Sequence, residues 1–207
     1  MRLITHRGFF HDNKAVGVLF SLIHPIVPDT LPWSETDLLW IGQEWVLCHD
    51  HGRFRDSRVV DPFSVLVEGL HHLRHRRWRL LLDIKWDEIH NRQDSLSEAV
   101  EVLERLLAPL HGLDIFLQVA SEPVFRALPS AFPTGLLVSG GFLDVTALPD
   151  ADFYNVDLHT IHAKDVRFLH DRTPEALLIG FTCHKVDDLP RYSHLYHLLD
   201  GIVCIRQ

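Results

Sequence analysis

A charged pair interrupts one of the most apolar runs of the chain, LLLDIKW at residues 80–86. Asp83 and Lys85 lie in what otherwise reads as a buried strand, where an unpaired charge costs several kcal/mol. Because side chains alternate between the two faces of a strand, these two residues share one face. The pair therefore needs charged partners or a chemical task at that face.

Two further carboxylates show the same alternation in SETDLLW at residues 34–40, where Glu35 and Asp37 share one face of a predicted strand. If Asp83 converges with them, the three like charges repel one another strongly unless a cation lies between them. Carboxylate oxygens suit a hard ion, Mg²⁺ or Ca²⁺ with Mn²⁺ as an alternative, and they disfavour a dedicated zinc site. The acidic residues therefore predict one divalent metal site.

Two histidines and an arginine also follow predicted strands. His6 and Arg7 come at the end of the first strand, and His49 precedes Asp50 after the run WVLC. Taken singly, a carboxylate near a strand end is more often a rim residue paired to a lysine, and a histidine is more often structural. Taken together, titratable groups at the ends of several strands favour a catalytic site.

The elements that position these residues alternate between short apolar runs and segments of helical periodicity. Eight barrel strands are predicted, at residues 2–6, 34–40, 79–85, 114–119, 134–139, 153–157, 177–183 and 201–205. An extra strand at 45–49 follows the second through a turn at 42–44, and helices are predicted at 62–75, 95–110 and 186–199. Ser95 and Glu98 form a predicted capping box for the second helix. The pattern predicts an α/β fold, a compact (β/α)8 TIM barrel with an extra hairpin strand, as a single domain over residues 1–207.

The composition limits the classes of function. The formal net charge is −8, which argues against a nucleic-acid partner because phosphate backbones are bound by basic surfaces. We expect a cytoplasmic protein with reduced cysteines, because no apolar run is long enough for a membrane span and MRLITHRG lacks the apolar core of a secretory signal. The histidine-rich run HHLRHRR at 71–77 favours a solvated helix face, with peripheral contact to an anionic membrane as the alternative.

Beyond these residue types, an ordered series of motifs resembles the glycerophosphodiester phosphodiesterases, within the phospholipase-C-like phosphodiesterase TIM barrels. The resemblance runs from Ile4 to about Ile205. Its motifs are, in order, His6-Arg7-Gly8, Glu35-Thr36-Asp37, His49-Asp50, Asp83-Ile84-Lys85 and Asp200-Gly201-Ile202. Asp83 stands where the family has glutamate, and in this the chain is also similar to the sphingomyelinase-D-like phospholipases.

The resemblance implies a role for each group. It implies three metal ligands, Glu35, Asp37 and Asp83. It implies that His6 and His49 act as general acid and base, in either order, and that Arg7 and Lys85 contact the substrate phosphate, with a ligand carboxylate as the alternative contact of Lys85. The implied reaction is hydrolysis of a small glycerophosphodiester or a lysophospholipid.

Two alternatives stay open at this stage. A sphingomyelinase-D-like or phospholipase-D-like transphosphatidylase would use a hydroxyl of the substrate itself as the nucleophile and form a cyclic phosphate. A catalytically degenerate barrel would bind phosphate without turning it over, but such a barrel normally loses one of the metal ligands or histidines. Because all five of these residues are present, the sequence favours an enzyme.

Overall fold

The structure, a computed structural model, describes residues 2–6, 33–48, 63–64, 67, 79–86, 91, 94–110, 112–139, 144–183 and 186–205. Within these ranges, nine strands form one sheet. The strands are β1 Arg2–His6, β2 Trp33–Ile41, β3 Glu44–Val46, β4 Arg79–Lys85, β5 Asp114–Val119, β6 Thr134–Val138, β7 Phe153–Asp157, β8 Leu177–Cys183 and β9 Gly201–Ile205. The eight predicted barrel strands are confirmed to within one residue at each end.

The parallel strands of the described ranges close into a ring. The order around it is β1-β9-β8-β7-β6-β5-β4-β2, and β1 also pairs in parallel with β2, where Ile4 lies opposite Trp33. All these strands therefore direct their carboxyl ends to the same rim, where barrels of this type place their functional groups. The described part of the chain has the TIM-like barrel that the alternating pattern predicted.

A short antiparallel strand lies beside β2. Gly42 and Gln43 turn the chain with positive φ angles of 58° and 72°, and β3 then pairs back with the end of β2. The indole N–H of Trp45 donates a hydrogen bond to the carbonyl oxygen of Ala99 at 2.8 Å, which attaches β3 to the helix that follows β4. The extra strand predicted at 45–49 overlaps β3, and His49 lies outside the described residues.

Helices pack against the outside of the ring. They are α1 Leu96–Leu107, α2 Glu122–Ala127 and α3 Ala163–Arg172, with 3₁₀ helices at Ala108–Leu110 and Val186–Leu195. The predicted cap is present at the start of α1, where the Ser95 hydroxyl accepts the backbone N–H of Glu98. The helix predicted at 186–199 is instead the 3₁₀ helix, and Pro190 within it lacks the N–H that an α-helical hydrogen bond needs. Of the helix predicted at 62–75, residues 63, 64 and 67 are described, and they are helical.

The strands bury both of their faces, but against different partners. Outward side chains such as Leu80 and Leu82 pack in one core with Leu103 of α1. Inward side chains form a second apolar cluster inside the ring, made of Leu81, Phe116, Phe153, Leu177, Ile179, Phe181 and Val203. Asp83 lies two residues beyond Leu81 on the same face of β4, so its carboxylate lies between this cluster and the carboxyl-end rim.

Gly135 of β6 makes room for an aromatic ring inside the barrel. A Cβ atom at this position would lie 2.4 Å from ring atoms of Phe153, which is closer than two non-bonded carbon atoms can approach. The Phe153 ring packs edge-on against Phe116, with 5.8 Å between the ring centroids. Because Gly135 has no side chain, Phe116 of β5 and Phe153 of β7 can pack against each other across β6.

Two further features concern the helices and Cys48. In the ranges the structure describes, the helices lack the combination of length and apolar character that a bilayer span requires. The side chain of Cys48 is buried.

Candidate metal centre

Three carboxylates meet inside the rim of the barrel. Glu35 and Asp37 come from β2 and Asp83 from β4, and Asp37 lies directly opposite Asp83 in the register of the two strands. One oxygen of each residue lies within 4.8 Å of the others. All three are buried, with 3%, 6% and 5% of their surfaces exposed. The acids singled out by their alternation in sequence therefore converge.

Lys85 offsets part of this negative charge. Its ammonium group forms an ion pair with Oδ2 of Asp83 and lies 3.5 Å from Oδ1 of Asp37. With 26% of its side chain exposed, Lys85 reaches the cluster from the rim. This pairing accounts for charge in the run LLLDIKW, and the contact of Lys85 with a substrate phosphate stays a prediction.

The electrostatic environment raises the pKa of both members of the pair. Burial is the largest influence on Asp83 and raises its pKa, as does the charge of Asp37, while Lys85 and the Gln118 side chain act in the opposite direction. For Lys85, burial by itself lowers the pKa, but the charges of Asp83, Asp37 and Glu35 outweigh it and the pKa is raised. Lys85 is thus held charged beside the three carboxylates.

The donor set of the cluster fits a divalent cation. Oδ1 of Asp83 is buried and has no hydrogen-bond partner among the residues that the structure describes. A buried acceptor without a partner is destabilising, whereas a hard cation bound to carboxylate oxygens would satisfy it. The same ion would relieve the repulsion between Asp83 and the two acids of β2. The residues present therefore fit Mg²⁺, Ca²⁺ or Mn²⁺ rather than zinc.

The other predicted site residues are described only in part. His6 is the last residue of β1, so the backbone places it at the carboxyl-end rim on the strand next to β2. Arg7 and His49 lie outside the described residues. The acid, base and phosphate-binding roles of these three residues stay predictions.

No protein-family model and no curated protein sequence matches the chain. Solved structures match it closely in shape. A candidate glycerophosphoryl diester phosphodiesterase from Silicibacter pomeroyi has a TM-score of 0.74 at 15% identity, covering 98% of this chain and 89% of that chain. A phosphodiesterase from Oleispira antarctica, in complex with the product sn-glycerol-3-phosphate, has a TM-score of 0.70 at 13% identity, covering 99% and 92%. A glycerophosphodiester phosphodiesterase from Parabacteroides distasonis has a TM-score of 0.69 at 12% identity, covering 98% and 92%.

The chain has the fold of the glycerophosphodiester phosphodiesterases. This agrees with the family that the ordered motifs resemble, although identities of 12% to 15% mean that the likeness is one of architecture. In the glycerophosphodiester phosphodiesterase fold of this chain, the acidic cluster lies at the rim where the fold class places active sites.

Two buried polar residues of this barrel were not singled out from the sequence. Gln118 of β5 and Asn155 of β7 lie in the apolar runs DIFLQV and FYNVD, and both are buried. The signal that could have found them is the one that found Asp83, a polar residue at an inward position of an otherwise apolar strand. Neutral amides attract less notice than charges because burying an amide costs less.

Proposed function

We propose that this protein is a metal-dependent phosphodiesterase of the glycerophosphodiester phosphodiesterase family, and that one domain over residues 1–207 carries the activity. The observation that carries the proposal is the convergence of Glu35, Asp37 and Asp83, buried beside Lys85 at the carboxyl-end rim of a barrel with this fold. The substrate class is a small glycerophosphodiester or a lysophospholipid. The Oleispira antarctica structure, with its bound sn-glycerol-3-phosphate, supports a phosphorylated polyol as the ligand chemistry to test.

Glu35, Asp37 and Asp83 would hold the cation, Mg²⁺ or Ca²⁺ with Mn²⁺ as the alternative. When bound, the ion supplies positive charge to phosphate oxygens that gain negative charge in the transition state. Arg7 and Lys85 add positive charge on the protein side, so that the pocket as a whole carries a net positive charge. That balance complements the single negative charge of a phosphodiester.

His6 and His49 carry the proton transfers in this proposal. One imidazole is neutral and takes the proton of the attacking hydroxyl, and the other is protonated and delivers a proton to the departing alkoxide. The position of His6 at the end of β1, next to the strand of Glu35 and Asp37, supports its assignment. The attacking hydroxyl belongs to water in a hydrolase, or to the substrate's own alcohol in a transphosphatidylase that forms a cyclic phosphate.

The test is a substrate panel assayed with metal and with chelator. The purified protein is incubated with glycerophosphocholine, glycerophosphoethanolamine and lysophosphatidylcholine in Mg²⁺, Ca²⁺ or EDTA, and products are followed by phosphorus NMR. Metal-dependent release of a phosphomonoester supports hydrolysis, and a cyclic phosphate assigns the internal hydroxyl. The absence of any product with every substrate and ion would overturn the enzymatic proposal and leave the phosphate-binding barrel.

Matched variants tie the activity to the cluster. Glu35→Gln and Asp37→Asn each remove one charge from the site at nearly constant shape, and each should abolish metal-dependent turnover while the protein stays folded. The control is Asp114→Asn, because Asp114 is an exposed acid that pairs with Arg79 at 3.1 Å, at the amino end of β5. Equal loss of activity in the control would show that the effect does not arise at the cluster.

A further inference from the structure

Two buried amides extend the polar layer of the barrel beyond the carboxylates. Gln118 and Asn155 each have 2% of their surface exposed. Asn155 Nδ2 donates a hydrogen bond to Gln118 Oε1 at 2.6 Å. The reaction proposed above uses neither residue. Because buried amides are destabilising unless their polar atoms are paired, their remaining atoms indicate what the site is built to hold.

The hydrogen bond between the amides passes across one strand of the ring. The strand between β5 and β7 is β6, and the residue opposite Gln118 on it is Gly135, which has no side chain. Alternate strands of a TIM-type barrel place their inward side chains in a common layer, so Gln118 and Asn155 can meet. The Phe153 ring fills the space beside Gly135 one layer closer to the amino ends. The amide pair therefore lies above an aromatic layer.

The hydrogen bond between the amides determines how each of them is turned. Asn155 presents its NH₂ group to Gln118 Oε1. The NH₂ group of Gln118 is then the arm of its amide that can donate towards the neighbouring strand, where the Asp83 carboxylate lies opposite Gln118 in the register of β4 and β5. The carbonyl oxygen of Asn155 is left outside the pair.

That oxygen, Asn155 Oδ1, is buried without a hydrogen-bond partner among the residues the structure describes. The layer on its amino-end side is apolar, since Phe116 and Phe153 precede Gln118 and Asn155 by two residues on the same faces. Among the side chains that the structure describes, this layer offers no hydrogen-bond donor. A donor must therefore come from the carboxyl-end rim, the side from which Lys85 reaches the acidic cluster.

We propose that Asn155 is a specificity-determining residue whose Oδ1 accepts a hydrogen bond from a hydroxyl group in the alcohol portion of the substrate. The inference rests on the proposed function, which supplies a phosphate group at the acidic cluster. One glutamine side chain separates Asp83 from Asn155, a span that a phosphorylated polyol can bridge. Gln118 is a positioning residue that fixes the spacing of the two ends. An analogue without the hydroxyl leaves a buried acceptor unpaired and binds more weakly.

The test compares two phosphate esters that differ in their hydroxyl groups. Isothermal titration calorimetry of the full chain in saturating Mg²⁺ or Ca²⁺ measures the Kd of sn-glycerol 3-phosphate and of n-propyl phosphate. The wild type should prefer the glycerol ester by about tenfold or more. Asn155→Leu should bring the ratio of the two Kd values to about one by weakening the glycerol ester. An unchanged ratio in Asn155→Leu, or a ratio of one in the wild type, overturns the inference.

Further ligands and variants keep the test decisive if Asn155→Leu fails to fold. On the wild type, propane-1,2-diol and propane-1,3-diol phosphates each remove one hydroxyl, and one of them should lose most of the preference. Asn155→Ser provides a smaller second variant. Equal affinity of the wild type for all four esters would exclude a hydroxyl site whatever the variants do.

Controls separate a specific effect from a general one. Asn91 is a second buried asparagine, and its Nδ2 donates to the Trp40 carbonyl at 3.2 Å in the core outside the ring. Asn91→Leu should keep the wild-type ratio, and a lost ratio there would refute a specific role of Asn155. Gln118→Leu should weaken both the glycerol-ester preference and metal binding measured by a separate titration with the ion alone.

Parallel turnover assays distinguish this inference from the proposed function. A protein that hydrolyses phosphodiesters but shows no Asn155-dependent hydroxyl preference refutes the inference alone. A protein that shows the preference but cleaves no diester with any ion refutes the proposed activity and retains the hydroxyl site.

Discussion

At the residue scale, burial and neighbouring charges shift the pKa values of both Asp83 and Lys85. Burial raises the pKa of Asp83, and Lys85 only partly opposes the effect. A carboxyl whose pKa is raised by folding binds its proton more tightly in the folded state, so its ionisation weakens the metal-free fold as pH rises above about 4. The free energy of unfolding of the metal-free protein therefore falls as Asp83 ionises, and a bound cation would reverse this effect.

Asp83→Asn tests that dependence. Because asparagine resembles the protonated carboxyl, the variant should gain stability relative to the wild type as the pH rises from about 4 to 7 in EDTA. Urea unfolding of both proteins across this range measures the difference in free energy. The variant should also show no stabilisation by Mg²⁺ or Ca²⁺. Parallel pH curves, or a variant that metal still stabilises, would contradict the account.

Lys85→Met tests the contribution of the Lys85 ammonium group to stability. Removing the ammonium removes the contacts that Lys85 makes with Asp83 and Asp37, and the metal-free protein should lose about 1–3 kcal/mol of unfolding free energy. A divalent ion should recover part of this loss because it supplies charge at the same acids. Thermal unfolding with and without metal measures both effects, and Lys164→Met, at an exposed position of α3, serves as the control. A loss that metal leaves unchanged would argue against a shared site.

His6→Ala and His49→Ala test the proton transfers. Each variant should lower kcat by about 10²–10⁴-fold, because each removes one proton-transfer group while the acidic cluster remains. The wild-type kcat/KM should follow a bell-shaped pH profile, and each variant should lose one limb of it. Steady-state kinetics across pH measures these limbs. Retained turnover in either variant would retire the assignment of that histidine.

At the scale of the elements, a single glycine links the packing of β6 to the geometry of the site. Gly135 accepts the Phe153 ring into the space that a side chain would occupy, and the Gln118–Asn155 bond passes across the same strand. Inward positions of three neighbouring strands are thereby coupled. A change of one methyl group on β6 should reach the polar layer although it touches no acidic residue.

Gly135→Ala tests this coupling. Because the new Cβ would overlap the Phe153 ring, we expect a loss of about 1–3 kcal/mol in the free energy of unfolding. The same substitution in a Phe153→Leu background should cost less, since the smaller side chain leaves room. Urea unfolding of the wild type, the two single variants and the double variant completes the cycle. Additive losses would show that the ring and the glycine do not compete for space.

At the scale of the whole molecule, ring closure determines which strands can share a ligand. The acids of the cluster come from β2 and β4, which are separated by more than thirty residues in sequence and are adjacent in the ring. A bound cation would therefore cross-link two distant parts of the chain. The net charge of −8 makes this local need for positive charge more pronounced, because the rest of the molecule repels anionic ligands.

Metal removal should therefore change global stability as well as activity. At an ion concentration of about one hundred times Kd, the thermal unfolding midpoint should rise by roughly 5–10 °C over that in EDTA. Differential scanning calorimetry of the wild type and of Asp37→Asn measures the shift, which should vanish in the variant. A shift of the same size in Asp37→Asn would place the ion elsewhere.

The local sequence was sufficient for the elements and for part of the site. Apolar runs bounded by turn residues predicted the barrel strands to within one residue, because a strand buried on both faces must be apolar along its length. Alternation within those strands placed Glu35 with Asp37 and Asp83 with Lys85, because the period of two is a property of the extended backbone itself. The 3₁₀ helix at Val186–Leu195 departed from prediction, since helical periodicity does not distinguish the two helix types.

Side-chain contacts between different strands of the ring were decided only by the tertiary structure. The pairing of Lys85 with Asp37, the hydrogen bond between Gln118 and Asn155 and the space that Gly135 leaves for Phe153 all join different strands. These contacts depend on which strands are neighbours and on the register between them. Both are set when β1 pairs with β2 and closes the barrel, an event that no local pattern of residues encodes.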